Sequence, residues 1–199
     1  MTVIPNPPFF DVLKNRHSAR KFKPTPIPKE HITQMLEAAC SAPTAGNQQP
    51  WKFLVIQDRK KLDRLKEGCF ARRIRLYQEN EHPTPEQLET KRKALTEYYT
   101  DFFSAPLYII VLTDSQSQYP SYNVYDGPLA ADHLLLAAHA LGYGTVFVTD
   151  SIPDEVPRTI LRIPERYQRV CVLPIGIPED APEAPVKRAL AEMVVYESF

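Results

Sequence analysis

Glycine is scarce in this chain, six among 199 residues, and the scarcity excludes the usual phosphate loops. Gly142-Tyr143-Gly144 has Phe147 where a third glycine would complete a dinucleotide fingerprint, and it leads into a strand rather than a helix. Cysteine is nearly absent as well. Cys40, Cys69 and Cys171 are odd in number and far apart, with no CxxC pair, so neither a disulfide framework nor a structural zinc is expected, and a reduced, cytoplasmic protein is. Charge of either sign is not in excess: Lys+Arg and Asp+Glu both total 24. A nucleic-acid partner, which calls for a basic face, is therefore not expected. The longest apolar run, Ala105–Leu112, is far short of the roughly 20 residues that cross a bilayer, and Pro5, Pro7 and Pro8 would spoil a signal helix, so no membrane partner is expected either. No GxSxG elbow is present. His133 and His139 stand six apart, off a common helical face, so no metal site is expected.

Proline, by contrast, is abundant: 20 residues, 15 of them within 5–50 and 153–185. The two ends therefore read as extended arms and loops, and the middle carries most of the regular structure. There is no internal repeat, no low-complexity tract and no dividing linker, and the length suits one domain over residues 1–199.

Periodicity predicts a helix over 28–41, with Pro28 in its first turn and Ile32, Met35, Leu36, Ala39 and Cys40 on one face. A strand over 53–56 and a charged helix over 59–66 follow. A second helical stripe covers 86–103, and Leu107–Leu112 reads as a buried strand. Asp126 is expected to cap a helix that runs to Gly142 with Pro128 in its first turn. That helix is apolar nearly all round and so belongs in the centre. Strands are expected at 145–148 and 170–177, with a short one at 193–196. The mixture, without uniform alternation, predicts an α+β sheet wrapped by helices.

Two segments carry chemistry. Arg16-His17-Ser18-Ala19-Arg20 follows a short apolar helix and offers two guanidinium groups, an imidazole and a hydroxyl to a phosphate; a solvated basic turn would read the same way. Ala42–Trp51 lies between a helix and a strand. Its small and amide residues suit a planar polar heterocycle, though an ordinary loop with Trp51 in the core is equally compatible.

In this order and spacing the segments resemble the nitroreductase superfamily of flavin mononucleotide (FMN) enzymes. That family opens with an Arg-(Arg/His)-Ser-x-(Arg/Lys) segment and continues with Pro-(Ser/Thr)-x-x-(Asn/His)-x-x-Pro-Trp, matched by Pro43, Thr44, Asn47, Pro50 and Trp51. The Ala-Leu-Gly end of the buried helix (140–142), the Leu-Pro-Ile-Gly strand (173–176) and Lys187-Arg188 extend the likeness over most of the chain.

The resemblance implies a central, mainly antiparallel sheet and a homodimer with exchanged arms and the flavin at the subunit interface. Arg16, His17 and Ser18 would meet the phosphate and ribityl chain, joined by Lys187 and Arg188. Arg20 would sit at the N1–C2 carbonyl edge, where a fixed cation stabilises the negative charge that reduction brings. Pro43, Thr44 and Asn47 would touch the partner subunit's flavin, and Val148 and Thr149 would lie beside N5. Residues 68–104 would form a lid. The implied activity is ping-pong transfer from NADH or NADPH, each bound transiently, to a nitroaromatic, quinone or similar small acceptor, with no side-chain acid or base required. Thr149 occupies the place of a threonine in the iodotyrosine deiodinase branch. That leaves one-electron chemistry as an alternative, and a non-catalytic flavin-binding protein as another. Against the deiodinase branch, Arg72-Arg73-Ile74-Arg75-Leu76-Tyr77 is basic where the branch has an acid, and a solvated arginine face is the expectation there.

Overall fold

The computed structural model describes residues 8–180 and 186–198. In chain order the elements are α1 (Phe9–Asn15), β1 (Phe22–Lys23), α2 (Lys29–Cys40), β2 (Trp51–Ile56), α3 (Arg59–Glu81), α4 (Pro85–Phe102), β3 (Leu107–Asp114), α5 (Asn123–Ala140), β4 (Gly144–Thr145), α6 (Glu155–Leu161) and β5 (Tyr167–Pro178). All strand pairs are antiparallel, in the order β1-β5-β3-β2, with β4 also on β5. The expected α+β sheet wrapped by helices is what the chain forms.

Strand β3 is central because Leu107–Leu112 is apolar at every position, and a strand buried on both faces needs such a run. Its side chains alternate between two cores. Leu107, Ile109 and Val111 pack with Ala131, Leu134 and Ala138 of α5 and with Ile32, Met35 and Ala39 of α2. Tyr108, Ile110 and Leu112 face the other way, onto Leu62, Leu65 and Cys69 of α3, Tyr99 and Phe102 of α4, and Val156 of α6.

The register of β3 against β5 slips between Val111 and Leu112: Val111 stands opposite Cys171, but Leu112 stands opposite Arg169. Val170 is the extra residue of a β-bulge. It packs with Cys171 on the α5 side, and Arg169 is thereby turned to the side of α3 and α6.

Several boundaries differ from expectation. Helix α3 continues to Glu81 instead of ending near Lys66, because Leu65, Cys69 and Ile74 keep an apolar stripe beneath its charged surface. Gly68 inside it is a close approach: a Cβ there would lie 2.8 Å from Val156 Cγ1. Helix α5 starts at Asn123, so Pro128 lies in its interior and Asp126 is not its cap. The Asp126 carboxylate is committed to a loop instead, as described below. The strand expected over 145–148 is only Gly144–Thr145, followed by an isolated bridge from Val148 to Val172. Met193–Tyr196 is no strand. The chain from 186 to 198 lies largely exposed, with a single 3₁₀ turn at Leu190–Glu192, and it has no strand neighbour among the described residues to take its backbone hydrogen bonds.

Candidate functional site

The 16–20 segment is fixed by backbone pairing. Arg16 N donates to Val12 O (3.0 Å) at the end of α1, and Ala19 N donates to Thr145 O (3.1 Å), with Ser18 bridged in parallel to Thr145. Ala19 is buried, so in extended chain Ser18 and Arg20 turn to the opposite side. The approach depends on Gly144, where a Cβ would come within 2.6 Å of Ala19 Cβ and 2.5 Å of Pro178 Cγ. The Thr145 hydroxyl beside Ser18 is buried without a hydrogen-bond partner.

Charge at this segment is uncompensated. Lys21 is paired with Asp101 at 3.1 Å, but no ion pair among the described residues involves Arg16 or Arg20. His17 stacks edgewise on His139 at the end of α5, ring centres 6.3 Å apart. Burial, and then His17 and Arg16, push the His139 imidazole below its usual value. Asp101 and Asp180 line the cavities around Arg20, but the cations Arg16, Arg20 and Lys21 outnumber them, and a spot with excess positive charge is suited to an anion.

The structure brings Arg20 and Val148 together. Both line a cavity of about 260 Å³ with Val146, and with Tyr98 and Phe102 of α4. Thr149 follows at an exposed turn. Lys187 and Arg188 are exposed. Arg188 pairs with Glu192 of its own turn at 3.2 Å, and no hydrogen bond or ion pair among the described residues joins either to Arg16–Arg20.

Pro43, Thr44 and Asn47 are elsewhere. Their loop is held at the beginning of α5: Asp126 Oδ1 accepts from Ala45 N (3.1 Å), Oδ2 accepts from Gln48 Nε2 (2.6 Å), and Gln48 Oε1 accepts from Tyr119 N (2.7 Å). These bonds maintain three left-handed residues, Gly46, Asn47 and Gln49. Two of them carry side chains, and backbone held in that region tends to cluster where ligands are clamped. Trp51 goes into the core against Ala42 and Ala130. Asp126 and His139, which mark the attachment points of the two segments, are 13 residues apart on α5, or about 20 Å at 1.5 Å per residue. Within the chain the two segments do not meet.

A larger cavity, about 450 Å³, opens between α3, α4 and the 149–151 turn, lined by Arg73, Tyr77, Glu81, Lys91 and Tyr98 among others. The Arg72–Arg75 run is not the solvated face that was expected. Arg72 bonds Glu155, and Arg73 bonds the Asp150 carboxylate and carbonyl; only Arg75 remains fully exposed. Glu81 lines the same cavity as Arg73 and Tyr77. Sequence reasoning passed over Glu81 and Tyr98 as site residues and gave Asp126 only a capping role. The continuation of α3 past Lys66 would have placed Glu81 one helical turn beyond Tyr77.

Residues 13–177 match the model of the Nitroreductase family. The chain belongs to the nitroreductase family. A relative from Methanothermobacter thermautotrophicus, provisionally named an NADH dehydrogenase/NAD(P)H nitroreductase, is 31% identical over 86% of this chain and 78% of its own. An iodotyrosine deiodinase from Thermotoga neapolitana is 29% identical over 86% of this chain and 89% of its own. The crystal structure of an oxidized iodotyrosine deiodinase bound to FMN and 3-iodo-L-tyrosine superposes with a TM-score of 0.75 and 26% identity, covering 96% of this chain and all of that one. This nitroreductase-family chain is accordingly an oxidoreductase. None of the helices among its described residues is long and apolar enough to cross a membrane.

Proposed function

We propose that this nitroreductase-family protein is a homodimer that binds FMN between its subunits, accepts hydride from NADH or NADPH and passes the electrons to a small nitroaromatic, quinone or similar acceptor in a ping-pong cycle. The observation that carries the reading is Arg20, which forms no ion pair among the described residues and is set in one cavity with Val148. FMN, when bound, supplies the hydride and electron transfer. Arg20 would stabilise the negative charge that reduction brings to the ring, and Val148 and Thr149 would hold the ring beside it. Arg16, His17 and Ser18 bind the phosphate and ribityl chain, with Lys187 and Arg188 adding charge from the C-terminal arm. The residues fit the group: cations in excess, a buried hydroxyl without a partner at Thr145, and a backbone path that only Gly144 permits.

Two subunits are needed to complete such a site, because Pro43, Thr44 and Asn47 sit about 20 Å from the 16–20 segment along α5. They act on the partner subunit's flavin. Exposed apolar side chains support the pairing: Phe9 and Phe10 on α1, Val124 and Tyr125 on α5, and Val186 and Tyr196 on the arm. The whole chain acts as one unit with the α3–α4 hairpin as its lid, and the three free, widely spaced cysteines suit the reducing cytoplasm.

The purified protein should retain a flavin spectrum after added FMN is removed, and NADH or NADPH should bleach it in stopped flow. Failure of both to bleach a bound flavin would defeat the reductase reading. A second reading, one-electron reductive dehalogenation, is favoured by the hairpin cavity, where Lys91 lies over the Tyr77 ring at 5.2 Å and Glu81 adds a carboxylate. Iodide release from 3-iodo-L-tyrosine under dithionite would select it.

A further inference from the structure

The turn that follows Val148 is gripped from one side only. Four consecutive carbonyls accept side-chain hydrogen bonds. Thr149 O accepts from Arg169 Nη2 (3.2 Å), Asp150 O from Arg73, Ser151 O from the Tyr99 hydroxyl (2.8 Å) and Ile152 O from Arg169 Nη1 (2.6 Å). The donors come from three elements: β5, α3 and α4. Arg169 reaches the turn because the bulge at Val170 turns it to this side of the sheet. Its side chain is only 12% exposed and is further fixed by Asp154 at 3.4 Å.

A trans peptide directs its N–H opposite to its C=O. Tying these carbonyls toward β5 and the hairpin therefore turns the amides of Asp150, Ser151 and Ile152 away from them. Those amides donate to no acceptor among the described residues. Adjacent donors without a partner form a site for an electron-rich group that accepts hydrogen bonds.

We propose that Arg169, Arg73 and Tyr99 are positioning residues that hold the carbonyls of Thr149–Ile152 so that the intervening amides face the group bound beside Arg20 and Val148. The inference rests on the FMN reading above. It also ties the hairpin to the redox properties of the site, since Arg73 and Tyr99 line the 450 Å³ cavity that an acceptor would enter. The amides are preorganised donors, and such donors favour the more negatively charged state of what they face.

The test uses the FMN-loaded protein as wild type, Tyr99→Phe, Arg73→Gln, Arg73→Lys and Arg169→Met. The readouts are the dissociation constant of oxidised FMN, the reduction potential against a reference dye, and thermal melting. Tyr99→Phe and Arg73→Gln should leave oxidised FMN binding within about twofold and weaken binding of reduced FMN by roughly fivefold or more, read as a more negative potential. Arg73→Lys, which can still reach one carbonyl, should recover part of the shift. If Arg169→Met does not fold, Tyr99→Phe, which keeps its ring, decides. Folded, FMN-loaded variants with wild-type potentials overturn the positioning role and leave the oxidoreductase reading standing. A wild-type protein that binds no FMN overturns both, and does so before any variant is made.

Discussion

On one face of the sheet, α5 lies against β3 and β5 through Ala131, Leu134 and Ala138, none of which keeps any exposed surface. On the other face, the outer part of the α3–α4 hairpin meets the 149–152 turn through hydrogen bonds and an ion pair of Arg73 and Tyr98 at part-exposed sites, and through one hydrogen bond from the buried Tyr99. The first attachment is close-packed and dry, so it loosens only with the whole fold. The second is a set of polar ties, each worth about 1 kcal/mol, and their small sum lets the hairpin yield without unfolding the sheet. The difference places rigidity where the 16–20 and 43–51 segments are anchored, at the two ends of α5, and compliance over the hairpin cavity.

The largest expected effect tests the rigid face. Leu134→Ala should destabilise the protein by about 3 kcal/mol, the usual cost of a cavity at a fully buried leucine, whereas Tyr99→Phe on the compliant face should cost about 1 kcal/mol. Chemical denaturation measures both, and equal losses would break the comparison.

Thiol labelling sharpens it further. Cys40 is exposed and should react quickly. Burial pushes the Cys69 thiol up to about 12 and the Cys171 thiol up as well, so neither should react in the native state without an opening. Cys69 lies under α3 on the compliant face and Cys171 under α5 on the rigid one. Cys69 should therefore be labelled first of the two, and the reverse order would sink the assignment of compliance to the hairpin.

The smallest effect is electrostatic. His139 is held below its usual value of 6.5 by burial, then by His17 and Arg16. The unfolded chain therefore binds the proton more readily than the folded one. Its contribution to stability is complete above pH 6.5 and is lost as pH falls through the lower folded value. Melting curves from pH 7.5 to 5 should drop slightly less steeply in His139→Gln than in the wild type. If the two profiles ran parallel, the cationic cluster at the end of α5 would contribute nothing.

How much was legible in advance varies by residue. Leu107–Leu112 declared itself a buried strand because every position is apolar, and Ile32, Met35 and Ala39 declared a helix face by spacing alone. The 16–20 and 43–51 segments were visible because their residue types are unusual together. Helix α3 was truncated in the reading because Gly68 and its arginines masked a stripe that only packing against α6 makes meaningful. Asp126 looked like a helix cap because a carboxylate before Gly-Pro suits one locally, yet the loop at Ala45 and Gln48 claims it from 78 and more residues away. The 193–196 strand rested on the local strand propensity of Val194, Val195 and Tyr196, and strand propensity is weak without an edge to pair with.

The sequence by itself determined the central strands, the α2, α4 and α5 helices and the α+β class, since apolar periodicity is local and survives any arrangement of the rest. It also determined the family, through ordered landmarks that need no coordinates. Tertiary structure decided everything that depends on contacts between distant residues. It placed the 16–20 and 43–51 segments at opposite ends of α5, used a single-residue bulge to turn Arg169 toward the 149–152 turn, and gathered four carbonyls of that turn under donors from three elements. Those arrangements are set by register and packing, which no stretch of chain specifies until its neighbours are in place.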